Sequence, residues 1–527
     1  MLDTMPQRYS NMNKLPVSRF FMRTIFVLLT WFFLISSTVK AQMNVLFISV
    51  DDLKPKLNVY GHTHIHSPQM DRLANSGILF TNAYCQQAIC SPSRASLLTG
   101  LRPDSTRVYN LTTDVRETVP GVVTIPQFFK EAGYATRGWG KLHHFPGRGN
   151  EHDLRTDGSY ESYAWTEGWN MGGFKDYANE VNIFYAEIRH KWAEEIGLTG
   201  FERNNFARGP SIEISDVADT VYSDGHMTME LIEALKDKSS SGEPFFYAIG
   251  YIRPHLPFTA PRKYWELYDR NEIQLPNFTE MPGGAPQFAF QDSWELRHYP
   301  DIPPQGQPIP EEKQRELLHG YYASVSFVDA QIGKILDVLE EKGLSENTAI
   351  VLFGDHGYHL GDHGMWCKHT NFEQANHSAL LFRHPQKYSG TVIRRPVELL
   401  DIFPTLLDFT GMEMPHMMQG QSFVPLMENP DGEWKPFALS QYPRNIDGDP
   451  NGMGYSIRTE RYRYTEWVVN PDWNGRNFAH PATGNVVVAR ELYDYDLDYE
   501  ETRNLADDPD YADVVEKMQR LMYGKAP

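Results

Sequence analysis

A few short stretches carry residue types that could do chemistry together. Asp51-Asp52 and Asp355-His356 each follow an apolar run, Lys141 is trailed by His143 and His144, and His255 closes Arg253-Pro254-His255. Cys90 opens Cys90-Ser91-Pro92-Ser93-Arg94. Like-charged carboxylates at close quarters cannot all stay ionised without a cation between them, and oxygen ligands favour a hard ion, Ca2+ or Mg2+. Taken singly, each aspartate after a strand reads as a helix cap or turn former; the set as a whole is what suggests a site. The chain has 3 cysteines, Cys85, Cys90 and Cys367, too few for a disulfide framework. The odd one is either buried and inert or chemically special.

Such residues need elements that bring them to one place. Asn44–Val50 (NVLFISV) is a continuous apolar, β-branched run, the pattern of a strand buried on both faces, and it ends in Asp51-Asp52. The run 348–353 leads into Gly354-Asp355-His356, Phe245–Tyr251 into Arg253-Pro254-His255, and Ala135–Gly140 into Lys141. In open α/β sheets ligands bind at that C-terminal strand edge, where loops and helix N-termini converge. Helices are expected at 68–76, 125–132 and about 311–342, stopped by Gly77, Gly133 and Gly343. The longest shows the helical spacing of Leu317, Tyr321, Val325, Val328, Ile332, Ile335 and Leu339. The alternation predicts a doubly wound α/β domain.

Two regions break that rhythm: about 144–208, rich in Gly, Trp, Tyr and Asn, and 276–310, rich in Pro and Gly. Long insertions of this kind are functional rims or slack surface. Past Pro430 the alternating patterns at 455–458 and 461–465, with a helix at 509–522, predict a smaller α+β domain carrying an antiparallel sheet. The division expected is 42–430 for a catalytic domain and 431–527 for a C-terminal subdomain.

Charge sets further bounds. The 49 Lys plus Arg against 68 Asp plus Glu give 49 − 68 = −19, which argues against a nucleic-acid partner but leaves room for a local cationic cluster around a small anion. With 41% hydrophobic and 22% charged residues, disorder is excluded. Lys14, Arg19 and Arg23 precede an apolar run at 24–36, and Val39-Lys40-Ala41 approximates a small-x-small cleavage site. The run is shorter than the ~20 residues that span a bilayer. A signal peptide at 1–41 is therefore expected, with export to the periplasm or medium and no membrane span after cleavage; Met22 is an alternative start.

Cys90-Ser91-Pro92-Ser93-Arg94 followed by Leu97-Leu98-Thr99-Gly100 resembles the Cys-x-Pro-x-Arg…Leu-Thr-Gly signature of type I sulfatases, in the alkaline-phosphatase-like superfamily. The stretches NVLFISVDDLKP, GYIRPHLPF, GDHGYHLGDHGMWCKHTNFEQ, SQYPR and MGYSIRTERYRYTEW are similar to the iduronate-2-sulfatase branch, across nearly all of the chain from Asn44 onward. The resemblance implies a large mixed sheet sandwiched by helices. It implies that a maturing enzyme oxidises Cys90 to formylglycine (3-oxoalanine), so that the odd cysteine is no thiol at all. It also implies one Ca2+ held by Asp51, Asp52, Asp355, His356 and the residue at 90, with Arg94, Lys141, His144, His255 and Lys368 as sulfate-binding and catalytic positions. Pro92 suits the first turn of a helix, whose N-terminal dipole would favour the negative charge of a deprotonated aldehyde hydrate. In the implied reaction Lys141 and Lys368 steady the sulfuryl oxygens, His255 protonates the leaving sugar oxygen, and a histidine after Lys141 removes a proton so that sulfate is expelled. His144 is favoured over His143 for that step, and the substrate class implied is a sulfated carbohydrate containing uronic acid, from glycosaminoglycans to ulvan. His356 is the least typical ligand, since imidazole is softer than Ca2+ prefers.

Departures from the branch fall at Tyr358, where a tryptophan is expected beside the sugar, and at 375–379, where an arginine and proline are expected; both are expected at the pocket rim. His359, His363 and His369 read as solvated or structural. Cys85 and Cys367 could pair, the free buried state being favoured. Trp165, Trp169, Trp467 and Trp473 could stack on sugars or pack, and Asp153 could meet the sugar ring. The rival functions are a phosphoester or phosphonate hydrolase of the same superfamily and a non-catalytic carbohydrate-binding relic.

Overall fold

In the computed structural model the strand β1 (Asn44–Val50) is buried along its whole length, as an unbroken apolar run demands when both faces of a sheet are covered. Residues 42–144, 164–167, 169–170, 175–239, 242–413, 417–446, 449–469 and 486–524 are described; the expected signal peptide, Asp153 and Trp473 lie outside them. With β2 (Ile78–Tyr84), β3 (Ala135–Gly140), β4 (Phe245–Tyr251), β5 (Thr348–Gly354) and β6 (His377–Arg383), β1 builds the body of a mixed sheet in the order β2-β6-β5-β1-β4-β3. β1 is parallel to β4 and β5, β3 is parallel to β4, and β6 runs antiparallel to β2 and β5. Short strands, Thr391–Ile393 beside β2 and Trp169–Asn170 beside β3, flank these.

Period-two alternation sends Leu46, Ile48 and Val50 into one core and Val45 and Phe47 into the other, so each face of the sheet has its own apolar layer. Register fixes the site edge. Val50 is level with Tyr251 on one side and Gly354 on the other, so the residues after these three strands emerge side by side.

The helix α1 (Cys90–Thr99) starts at Cys90, has Pro92 in its first turn, and ends at Gly100 in the left-handed conformation. The segment 144–208, expected as irregular, instead contains α2 (Glu180–Glu195) and α3 (Gly200–Phe206). Its composition hides them because α2 keeps a weak apolar face: Val181, Phe184 and Trp192 are exposed. In the Pro-rich region a short helix α4 (Trp294–Arg297) follows Ser293, which takes a left-handed φ of 64°. α5 (Glu311–Glu341) buries the predicted stripe from Leu317 to Leu339 and pins the end of β1: the Tyr321 hydroxyl donates to the Asp52 carbonyl at 2.8 Å and accepts the Lys54 N–H at 3.2 Å.

The C-terminal strands Ala438–Ile446, Asp449–Arg458, Tyr462–Val469 and Val486–Asp494 form an antiparallel sheet in that order, with Met518 and Met522 of the terminal helix in its core. It belongs to the same compact unit as the large sheet, Met43–Pro527. A buried charge cluster fastens the two: Glu373, just ahead of β6, accepts from Arg458 at 3.2 Å, Tyr84 at 2.8 Å and Tyr495 at 3.1 Å, and pairs with Arg463.

Candidate active site

Neighbouring residues of an extended strand point to opposite faces, yet Asp51 and Asp52 converge on one place. Asp52 turns at a φ of 61°, a conformation that costs a side-chain-bearing residue ~1–2 kcal/mol, and its N–H donates to Asp355 Oδ1 at 3.1 Å. Carboxylate oxygens of Asp51, Asp52 and Asp355 thereby lie within 4.8 Å of one another in a fully buried cluster. The donor set fits a hard divalent cation. His356 adjoins it, with Nε2 3.5 Å from Asp52 Oδ1 and 3.5 Å from Cys90 Sγ. Among the described residues, every group of side chains close enough to share a metal falls here.

Arg94, four residues along α1 from Cys90, bridges the carboxylates. Its Nη2 is 2.9 Å from Asp51 Oδ1 and its Nε 2.9 Å from Asp355 Oδ2, while Nη1 donates to Ser49 Oγ at 3.0 Å, to the Leu142 carbonyl at 3.3 Å and to the Lys141 carbonyl. The guanidinium thus ties the ends of β1, β3 and β5 to α1. Lys141 Nζ lies 2.5 Å from Asp51 Oδ2 and 3.4 Å from Cys90 Sγ. Gly250 makes room for this turn: a Cβ there would stand 2.0 Å from the Lys141 carbonyl oxygen.

Opposing fields act on the two adjacent aspartates. Burial alone would raise Asp51, but Lys141 and Arg94 more than reverse that and hold it well below the usual carboxylate range. Asp52 is raised by burial, which Lys368 offsets only in part and which the charge on Asp51 reinforces. Burial, then Asp51, pushes the Cys90 thiol far above its ordinary range, so the unmodified side chain is a protonated thiol and a poor nucleophile. Burial and then Lys141 push His144 down to about 3, while His143, also lowered to about 3 by burial, responds next to Arg116. Both imidazoles are neutral at pH 7, and His144 is the one coupled to Lys141, Asp51 and His255.

His255 and Lys368 are joined by a residue that no motif announced. Glu295, on α4, sets Oε1 2.9 Å from His255 Nε2 and Oε2 2.9 Å from Lys368 Nζ. Burial would raise its carboxyl, but Lys368 and His255 hold it well below the usual range. Lys368 also contacts both Asp52 oxygens, at 3.0 and 3.1 Å. The Nδ1 of His255 faces the Leu256 carbonyl at 2.6 Å. A carbonyl and a carboxylate can only accept, so both ring nitrogens of His255 face acceptors. Glu295 could not be read from sequence because it lies in a Pro-rich stretch with no periodicity. It is placed by tertiary contact, the Ser293 hydroxyl accepting the Trp366 N–H at 2.9 Å.

A cavity of about 630 Å3 opens over Asp51, Lys141, His144 and His255, within the 300–1,000 Å3 usual for ligand pockets. Trp169 stands in its wall and Trp165 beside His143 and His144, whereas Trp467 is fully buried in the C-terminal half. Two rim expectations are corrected. Tyr358 is fully buried, stacked on Tyr321 at 5.7 Å, with its hydroxyl 3.3 Å from Cys367 Sγ. The segment 375–379 is buried at the start of β6 and does not face this cavity. His359, His363 and His369 are buried and structural: His359 bonds Thr370 at 2.8 Å, His363 the Glu500 carbonyl at 2.7 Å, and His369 lies against Trp294 at 4.8 Å. Cys85 and Cys367 are free and buried.

The profile of the family described as Sulfatase matches residues 43–412, and that described as N-sulphoglucosamine sulphohydrolase, C-terminal, matches 361–479. The chain is 34% identical to iduronate 2-sulfatase of Homo sapiens, over 90% of this chain and 93% of that one. It is 26% identical to an ulvan-active sulfatase of Formosa agariphila, over 92% and 85%. In structure it is similar to the phosphonate monoester hydrolase of Agrobacterium radiobacter, with a TM-score of 0.68 at 23% identity, covering 91% of this chain and 95% of that one.

Proposed function

Because the chain belongs to the sulfatase family and is a sulfuric ester hydrolase, we propose that it is exported and desulfates an oligosaccharide or polysaccharide containing uronic acid. A glycosaminoglycan, or an algal polymer such as ulvan, fits that class. The observation that carries the reading is the position of Cys90: buried, first in its helix, with Lys141 Nζ at 3.4 Å and His356 Nε2 at 3.5 Å, beside three clustered carboxylates. Similarity over most of both chains to an iduronate 2-sulfatase supports the substrate class, and the leader pattern at 14–41 supports export. Among the described residues no helix is long and apolar enough to cross a membrane. All the proposed site residues fall within 42–430, the proposed catalytic domain.

Asp51, Asp52, Asp355, His356 and residue 90 would hold Ca2+, whose charge, when bound, polarises sulfuryl oxygens and acidifies a coordinated hydroxyl. Residue 90, oxidised to formylglycine by a maturing enzyme, would supply paired hydroxyls, one to take up the sulfuryl group and one to expel sulfate. The chain's own groups do the rest. Arg94 fixes Asp51 and Asp355 relative to α1. Lys141 and Lys368 steady the negative charge spread over the sulfuryl oxygens, an electrostatic contribution that is large in a buried site. His255, held between the Leu256 carbonyl and Glu295, gives a proton to the departing sugar oxygen. His144, neutral, accepts the proton whose removal releases sulfate.

The test is desulfation of a panel of defined oligosaccharides, including 2-sulfated uronates and ulvan fragments, by enzyme co-expressed with a maturing enzyme. Release of sulfate from uronate-containing members is the expected result; turnover confined to neutral sugars refutes the substrate class. The phosphonate monoester hydrolase likeness concerns the fold alone at 23% identity. Faster turnover of an aryl phosphate than of an aryl sulfate would favour that chemistry, and an unmodified Cys90 after co-expression would leave only binding.

A further inference from the structure

Arg208 lies in the wall of the 630 Å3 cavity, in the stretch that follows α3. Its guanidinium is fixed on two sides. Nη2 donates to Asn205 Oδ1 at 2.8 Å, and the guanidinium carbon sits 4.8 Å from the centroid of the Tyr299 ring. Nη1 is buried and has no hydrogen-bond partner. Arg208 is half-buried; an orphaned donor on such a cation is costly unless a ligand completes it, and a planar fork held in one orientation matches the paired oxygens of a carboxylate or a sulfate.

The neighbours give it a place relative to the reaction. Tyr299 follows α4 directly, its N–H bonded to the Leu296 carbonyl at 3.0 Å, and α4 carries the Glu295 that grips His255 and Lys368. The cavity lining thus carries cations besides Lys141, which sits beside Cys90: Lys175 and Arg208. A monosulfated neutral sugar would need only Lys141.

We propose that Arg208 is a substrate-binding residue that reads a second anionic oxygen group on the sugar, a carboxylate or a further sulfate ester, while the sulfate to be removed lies against Lys141 and Lys368. The inference rests on the sulfatase reading and deepens it. It makes substrate choice depend on a residue that no catalytic motif contains.

The experiment compares the matured wild-type enzyme with R208Q and R208K. The substrates are a neutral aryl sulfate, a 2-sulfated uronate disaccharide, the same disaccharide with its carboxyl reduced to an alcohol, and one carrying an additional sulfate. The expected result is a fall of about 10- to 100-fold in the ratio of kcat/KM on the uronate to that on the aryl sulfate in R208Q, carried mainly by KM, as loss of a charge-assisted hydrogen-bond pair implies. R208K should recover part of it. If the fall disappears on the carboxyl-reduced substrate, the group read is the carboxylate; if it appears only on the additionally sulfated one, the group is the second sulfate. An unchanged ratio on every anionic sugar overturns the inference while leaving the sulfatase reading intact. Wild-type enzyme inactive on every sulfate ester, aryl sulfate included, overturns that reading and the inference with it.

Discussion

Replacing Glu295 by glutamine keeps the shape of the side chain and removes its charge. Two contacts at 2.9 Å change character, one to His255 Nε2 and one to Lys368 Nζ. Hydrogen bonds involving an ionised group contribute ~1.5–3 kcal/mol and neutral ones ~0.5–1.5, so the His255 contact weakens by ~1–1.5 kcal/mol; loss of the charge opposite Lys368, an ion pair with no hydrogen bond to Oε2, costs a similar ~1–1.5, ~2–3 together. In the proposed mechanism both partners act on charge that develops in the transition state, so the loss should appear in kcat and not in KM. At ~1.4 kcal/mol per tenfold it amounts to about 30- to 150-fold. Steady-state kinetics on an aryl sulfate with Ca2+ present, normalised to the formylglycine content of residue 90 by mass spectrometry, reads the effect apart from any maturation defect. A thermal melt separates it from unfolding. A kcat within threefold of wild type would refute the positioning role, as would a change confined to KM.

The other predictions concern the proposed nucleophile, the proposed cation site and the buried charge cluster. C90A should abolish turnover while leaving the melting temperature within a few degrees, since a small helix residue replaces a small buried one; residual activity above one per cent on an aryl sulfate contradicts residue 90 as the group that takes up the sulfuryl. EDTA should lower the melting temperature and Ca2+ restore it, by about 2.7 kcal/mol of stability at 100-fold excess over Kd; indifference of both melt and activity to chelation excludes the Asp51-Asp52-Asp355 cation site. E373A strands Arg458 and Arg463, which are buried beside it, and should cost about 3–5 kcal/mol in denaturant unfolding. Burial would raise Glu373, but Arg458 and Arg463 hold its carboxyl far below the usual range. Its stabilisation is therefore complete above the unfolded value of ~4.3 and drains away as pH falls below that; E373Q should show a shallower loss of stability on acidification, and an unchanged acid slope would count against the cluster.

Much of the candidate site was legible because its residues sit immediately after apolar runs. Each of β1, β3, β4 and β5 is a strand for local reasons, and each hands Asp51, Lys141, His255 or Asp355 to the same sheet edge. The helix α1 was likewise marked by Pro92 and Gly100. Elements with mixed composition were harder. α2 leaves Val181, Phe184 and Trp192 exposed, so its apolar residues trace no clean stripe. The expectation that Tyr358 and 375–379 form the pocket rim failed because sequence nearness to Asp355 does not set the direction of a side chain; Tyr358 stacks inward on Tyr321 of α5, more than thirty positions earlier.

The sequence by itself determined the doubly wound sheet and the edge that carries the candidate site, since burial of an apolar run and the end of a strand are local properties of a few adjacent residues. Only the tertiary structure decided which outlying groups complete that edge. Glu295 comes from a Pro-rich insertion and Arg208 from the stretch after α3, and neither lies on a strand or in a motif. Their positions follow from where long connections fold back over the sheet, a matter of packing among distant segments. Asp52 shows the two levels meeting in one residue: its type is plain in the sequence, but the left-handed turn that brings it beside Asp51 is held by Tyr321 and Asp355.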